Sequence, residues 1–445
     1  MRFAATSAAA PRRQGLTPRG IAASSGGCAE LGQDTVGTGM QAAEVRTTIE
    51  GERDLPRYFA AAFAQAGRLQ RGRLDIRLPD GRRFRIDAPE PGPVAEIEVH
   101  EPDLFARLIR EGDLGLSDAY LEGWWSTPDL MAFMDLVHHG NDAVYDGYPG
   151  QSLVRAWERF RFWLQRNSKR QAKKNIAHHY DLGNDFYALW LDDTMTYSSA
   201  LFETGQESLE KAQIAKYAAM VDGIGAKPGE HVLEIGCGWG GFAEYAAAER
   251  GLRVTGLTIS REQHAYATER IRRAGLSDRV EIKLQDYRDE RGSYDGIASI
   301  EMFEAVGEKY WPVYFDTLRS RLKPGRNATL QIITVADHRW ESYRKGVDFI
   351  QKYIFPGGML PAPKVLRAQV ARAGLEVAGS REFGQSYAQT LRRWHDRFDE
   401  RWDAVARLGF DDRFRRMWDF YLCSCAATFS SQICDVTQIT VTKPA

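Results

Sequence analysis

The scarcities of this chain narrow it first. Its 445 residues include five cysteines, none in a Cys-x-x-Cys pair. That excludes a dense disulfide framework and a paired-thiol metal or redox site, so no metal centre is expected and a reducing, cytoplasmic setting is the simpler expectation. No apolar run approaches the ~18 to 20 residues needed to span a bilayer, which leaves only peripheral contact with lipid. An excess of either charge is missing too. The 59 Lys+Arg residues against 60 Asp+Glu give a formal charge of −1, so the whole molecule makes no electrostatic case for nucleic acid and only local clusters could. Residues 1–50 lack hydrophobic periodicity and have no acidic residue before Glu30. They are expected to be a disordered or non-native extension, with a translation start at Met40 simpler than a transit peptide; a secretory core of ~7 to 15 apolar residues is absent.

What is present begins with HVLEIGCGWGG at residues 231–241. Val232, Leu233 and Ile235 suit a buried parallel strand, and Gly236, Gly238, Gly240 and Gly241 allow a tight turn into a helix with close backbone approach to a ligand. The spacing differs from the dinucleotide pattern G-x-G-x-x-G. Glu234 also argues against a diphosphate there and for a cationic or hydroxyl-rich ligand. Around this turn the chain alternates as an α/β fold should. Strands are expected at HVLEIG, RVTGLTI, VEIKLQD, YDGIASI and ATLQIITV with helices between, and at GLEVAGSREF and DVTQITVTK flanking a helical region rich in Trp394, Trp402 and Trp418. Such an order implies a doubly wound parallel sheet with its ligand site at the strands' C-terminal edge.

Upstream, YFAAAFAQ reads as a short helix and GRLDIRLPDGRRFRID as a β-hairpin turning at Pro-Asp-Gly, opening a small α+β domain over residues 51–140. Asp103 is positioned to cap a helix carrying Leu104, Leu108 and Ile109. Residues 141–180 form a linker. Within it, residues 151–174 carry Leu153, Trp157, Phe160 and Leu164 on one helical face, with eight basic residues against the single acid Glu158. This reads as an amphipathic helix for an anionic membrane surface, as an ordinary interdomain helix with a solvated basic face, or, least, as a nucleic-acid contact. Residues 181–445 form the α/β domain.

LEIGCGWGG, TGLTISREQ, LQDYRD, YDLGNDFYALWLDDTMTYSSALF, MFEAVGEKYW, FIQKYIFPGGMLP and FGQSY together resemble the cyclopropane fatty acid synthases, over roughly the last two-thirds of the chain. The resemblance implies a Rossmann-like class I methyltransferase core, S-adenosylmethionine as cofactor, and the cis double bond of unsaturated acyl chains in membrane phospholipids as substrate. It assigns Tyr197 and Ser198 to the methionine part, with Gly236 and Gly238 letting the backbone approach, and Glu234 to the amino-acid end. Thr258 and Gln263 fall where many nucleotide folds place a ribose-binding acid; Asp286 and Tyr287 would hold the adenine. Glu304 matches the carboxylate that steadies a carbocation. Tyr387 and Ile333 match part of a site for bicarbonate, the candidate second ligand that removes the methyl proton to close the ring. Cys425 matches a cysteine proposed as catalytic, which a buried inert thiol explains equally well.

The pattern is broken at the bicarbonate site. Ser199 stands where a Cys is expected and Gln331 where a His is expected; both hydrogen-bond, but neither supplies the charge of a protonated His. Ala305 replaces another His. Methyl transfer tolerates these changes better than ring closure, so a cyclopropane product is expected with a methyl-branched unsaturated chain as the alternative. An amino-group methyltransferase would show an Asn- or Asp-Pro-Pro-aromatic tetrad after the fourth core strand, where this chain has Ile300-Glu301-Met302-Phe303. A non-catalytic lipid binder would show an eroded glycine turn. A homodimer is left open by the sequence.

Overall fold

The computed structural model describes residues 44–139, Gln171 and 182–445, and these described residues fall in one compact unit. The expected hairpin forms from β2 (Arg71–Arg77) and β3 (Arg83–Asp87), with Ile76 opposite Phe84. Leu74, Ile76, Phe84 and Ile86 are buried alternately along it, as a period-2 pattern requires. Val45–Arg46 (β1), inside the stretch expected to lack structure, pairs with β3. Glu90–Val99 (β4) and Trp125–Ser126 (β5) complete a sheet of order β1-β3-β2-β4-β5. The helix Leu104–Glu111 starts where expected, yet Asp103 makes no capping bond. Its backbone is already helical (φ −67°, ψ −6°), whereas a capping residue is extended so that its side chain can reach back. Asp129 is extended and does cap, accepting from Ala132 N at 2.8 Å.

All seven strands expected in the α/β core are present. They are β6 (His231–Ile235), β7 (Arg253–Thr258), β8 (Val280–Leu284), β9 (Gly296–Ile300), β10 (Asn327–Val335), β11 (Glu376–Glu382) and β12 (Cys434–Thr442), in the order β11-β12-β10-β9-β6-β7-β8. The five from β8 to β10 are parallel. Order runs outward from β6 through β7 to β8, then restarts at β9 on the other side, and the crevice at this switch is where such sheets bind ligands. The parallel expectation stops at β10: β12 inserts antiparallel between β10 and β11, pairing Asn327 with Thr442 through to Val335 with Cys434. This is the class I methyltransferase arrangement within a mixed α/β fold.

The helix Leu209–Ile224 begins with Ser208 capping Lys211 N and ends at Gly225 in the left-handed conformation (φ 68°), the pairing of caps that helix ends favour. One buried cluster extends from Phe59 and Phe84 through Trp190, Trp394 and Trp418 to Val436. The helix Asp412–Ser430 lies against both Gly384–Glu400 and the N-terminal helix Leu130–His138, and Arg392 binds Asp135 across that junction. The wall opposite the sheet's C-terminal edge is therefore built by both ends of the chain. The basic stretch 151–174 lies outside the described residues apart from Gln171.

Candidate active site

The turn after β6 sets the polar end of the site. Gly236 (φ 86°), Gly238 (φ 50°) and Gly240 (φ 85°) are all left-handed. A Cβ at Gly236 would sit 2.8 Å from Met302 Cγ, while one at Gly238 would meet no protein atom and would enter the space beside the turn. That space is a cavity of about 1010 Å³. It receives Gly236 and Gly238 with Tyr197, Ser198 and Glu234, then Thr258 and Gln263, and finally Asp286 and Tyr287. Glu304, Ile333, Tyr387 and Cys425 also line it, and Phe133, Met134, Leu391, Phe420 and Phe429 make its wall apolar. Thirteen of the fifteen residues singled out from sequence thus meet in one place; Ser199 and Gln331 lie behind its wall, both fully buried.

Three buried oxygens on this surface have no hydrogen-bond partner among the described residues: Glu234 Oε2, Tyr287 Oη and Glu304 Oε2. Such atoms cost on the order of 1–3 kcal/mol each unless something binds them. Glu234 is the informative one. Its residue is 2% exposed, and burial pushes its carboxyl up to about 8 against the pull of Lys216 and Arg270. An unpaired carboxylate beside an open glycine turn suits a ligand with an ammonium and a sulfonium, which is the fit S-adenosylmethionine requires. At the neighbouring strand end, the Thr258 hydroxyl donates to Gln263 Oε1 at 2.9 Å, and Gln263 N is capped by Ser260. Asp286 is gripped by Arg288 at 2.8 and 2.6 Å, and the Tyr287 ring meets Tyr314 edge-on at 5.6 Å.

Deeper in, Glu304 Oε1 accepts from Ile333 N, and burial with the neighbouring Glu301 pushes Glu304 up to about 8. The Tyr197 hydroxyl is 2.7 Å from that of Tyr421, and its ring packs against Trp190 and Trp394. Burial raises the Cys425 thiol well above its ordinary value, which opposes a nucleophilic thiolate.

The residue that sequence reasoning passed over is Glu301. It was noticed only as a position lacking the amino-group tetrad. It follows β9 with φ 48°, a conformation uncommon outside glycine and frequent at functional sites. Its Oε1 accepts from Ser199 N at 2.8 Å and Gln331 Nε2 at 2.8 Å, and Tyr387 adds a side-chain hydrogen bond. Hence Ser199 and Gln331, expected to face an anion in the site, instead hold this carboxylate. Lys216 was also missed. It is fully buried, donates to Ser198 Oγ at 2.7 Å, and is pulled down to about 7 by burial despite the charges of Glu301, Asp192 and Glu234. The signal existed: Leu209, Ala212, Gln213, Lys216, Tyr217 and Met220 recur at helical spacing and are buried together, so Gln213 and Lys216 sit on an apolar stripe.

Residues 167–439 match the family described as mycolic acid cyclopropane synthetase. The chain belongs to this family. It is 39% identical over 401 residues to the tuberculostearic acid methyltransferase UfaA1 of Mycobacterium tuberculosis, covering 86% of this chain and 92% of that one. It is 37% identical over 380 residues to the cyclopropane-fatty-acyl-phospholipid synthase of Escherichia coli K12, covering 83% and 96%. Among solved structures, the cyclopropane synthase MmaA2 of Mycobacterium tuberculosis aligns with a TM-score of 0.58 at 30% identity, over 61% of this chain and 98% of that one. The mycolic acid cyclopropane synthase CmaA1, solved with S-adenosylhomocysteine (SAH) and CTAB, aligns at 0.57 and 29% identity, over 61% and 98%. As a member of this cyclopropane synthetase family, the chain is an S-adenosylmethionine-dependent methyl(ene)transferase that modifies lipid. The resemblance drawn from its motifs is borne out.

Proposed function

We propose that this enzyme adds one carbon from S-adenosylmethionine to the cis double bond of unsaturated acyl chains in membrane phospholipids, forming cyclopropane fatty acids. The supporting observation is that one cavity joins the glycine turn and the unpaired Glu234 to Glu304 and an apolar wall, so a cationic cofactor and an acyl chain have adjoining places. When bound, the cofactor supplies an electrophilic methyl group. Glu234 takes its amino-acid end, Tyr197 and Ser198 flank the methionine part, Gln263 meets the ribose, and Asp286 and Tyr287 meet the adenine. Phe133, Met134, Leu391, Phe420 and Phe429 desolvate the acyl chain and exclude water from the charge that develops on it. Glu304 Oε2, together with the faces of Phe355 and Tyr421, stabilises that charge. A bound cation also favours the ionised forms of Glu234 and Glu304, which burial alone holds near neutrality.

The same reading makes the enzyme a peripheral protein of the cytoplasmic membrane face, drawn to anionic lipid by residues 151–174. No helix among the described residues is long and apolar enough to cross a membrane. A second product has a specific observation in its favour. Because Ser199 and Gln331 are spent on Glu301, loss of a neighbouring chain proton, leaving a methyl-branched unsaturated chain, competes with ring closure. Mass spectrometry of membrane fatty acids from cells with and without the gene, before and after hydrogenation that spares the ring, tests both. A new species one methylene heavier that resists hydrogenation is expected. One that takes up hydrogen to give a saturated methyl-branched chain assigns the second product, and unmodified lipid refutes the reading.

A further inference from the structure

The bicarbonate expected from the family resemblance does not fit this chain. Its place would need donors facing the cavity, and the ones available are taken. Ser199 N, Gln331 Nε2 and the Tyr387 hydroxyl all converge on Glu301. The orientation of Gln331 is not adjustable. Its amide nitrogen also lies 3.3 Å from the Ser199 carbonyl, which can only accept, and its oxygen accepts from Gln438 Nε2 at 3.0 Å. The NH₂ group must therefore face both the carbonyl and the carboxylate. Ser199 and Gln331 are fully buried and off the cavity surface, whereas Glu301 is on it.

We infer that Glu301 is the enzyme's own general base, its carboxylate doing inside the chain what a bound anion would otherwise do, so that turnover requires no bicarbonate. This rests on the lipid-methylating reading above. After the alkene carbon has gained the methyl group, the adjacent cationic centre is quenched by breaking one C–H bond. The electron pair of that bond closes the new C–C bond or forms a double bond, the proton passes to Glu301, and it leaves to water with product release. The surroundings suit a base. Burial raises the Glu301 carboxyl above its ordinary value, opposed by its hydrogen bonds from Gln331 and Ser199 N and by the charge of Lys216; Glu304 on the same wall disfavours two simultaneous negative charges, so a proton arriving at Glu301 is held and relieves repulsion. The left-handed backbone at Glu301 makes glycine a tolerable replacement there.

The test compares wild type, Glu301→Gln and Glu301→Gly in buffer stripped of carbon dioxide and in buffer with added bicarbonate. The wild-type rate should be the same in both. Glu301→Gln should keep its affinity for S-adenosylhomocysteine while losing about 100-fold or more in kcat, the usual contribution of a general base. Glu301→Gly, which frees the three donors, should be slow without an anion and partly rescued by bicarbonate or formate. Independently of turnover, NMR with 13C-bicarbonate should detect binding to Glu301→Gly and none to wild type. Loss of wild-type activity on removing bicarbonate, bicarbonate binding by wild type, or an unimpaired Glu301→Gln would each overturn the inference. If wild type methylates no unsaturated phospholipid, the functional reading fails instead, and the NMR comparison still judges the anion site.

Discussion

At the scale of single residues, the glycine turn makes the sharpest demand. Gly238 is left-handed, and its missing Cβ points at no protein atom. A side chain there costs backbone strain and also projects into the space assigned to the cofactor. Replacing Gly238 with Val should therefore weaken S-adenosylhomocysteine binding at least tenfold in a protein that still folds. Titration calorimetry measures this, and unchanged affinity would remove the turn from the cofactor site. Glu234, Glu304 and Glu301 could not be told apart as charges from sequence. One is unpaired at the turn, one is held by Ile333 N at one oxygen only, and one receives hydrogen bonds from Ser199 N, Gln331 and Tyr387. The difference lies in partners brought from residues 29 to 102 positions away.

Elements show the same division. Strand β6 and its turn were legible because a short apolar run followed by glycines has few alternatives. The helix Leu209–Ile224 is closed by local caps, Ser208 at its start and Gly225 at its end. What it carries was not legible: Lys216 looks like an ordinary solvated lysine until the fold buries it completely and brings Ser198 to its ammonium. The basic stretch 151–174, outside the described residues apart from Gln171, is read from periodicity and charge. If it attaches the enzyme to membranes, each basic residue near the surface adds on the order of 1 kcal/mol, and salt screens it. Reversing four of its basic charges should abolish pelleting with anionic vesicles and leave cofactor affinity unchanged. Equal pelleting with neutral and anionic vesicles would return the stretch to a linker.

For the whole molecule, gathering buried carboxyls around one cavity has a cost in stability. Burial holds Glu234 and Glu304 at about 8, against about 4.3 for an unfolded glutamate. A raised folded pKa means that the contribution of each group is fully present below the unfolded value and is lost as pH rises toward the folded one. Stability of the ligand-free protein should accordingly fall between about pH 5 and 7. Above that, Lys216, pulled down to about 7, works in the opposite direction, because the unfolded state then binds the extra proton. Urea unfolding of wild type and Glu234→Gln across pH 5 to 7 checks this. The variant should show the shallower slope, and identical slopes would mean that Glu234 is not held neutral by the fold.

The sequence by itself determined the α/β class, the seven core strands, the glycine turn and thirteen of the residues that line the cavity. These depend on local patterns: apolar period, turn chemistry and motifs whose spacing the backbone keeps. Only the tertiary structure decided that β12 enters antiparallel beside β10, that helices from both ends of the chain build the apolar wall, and that Ser199, Gln331 and Tyr387 converge on Glu301. Each of those depends on contacts between distant segments. Hydrogen bonds of this kind are specified by three-dimensional proximity, which no periodicity along the chain records.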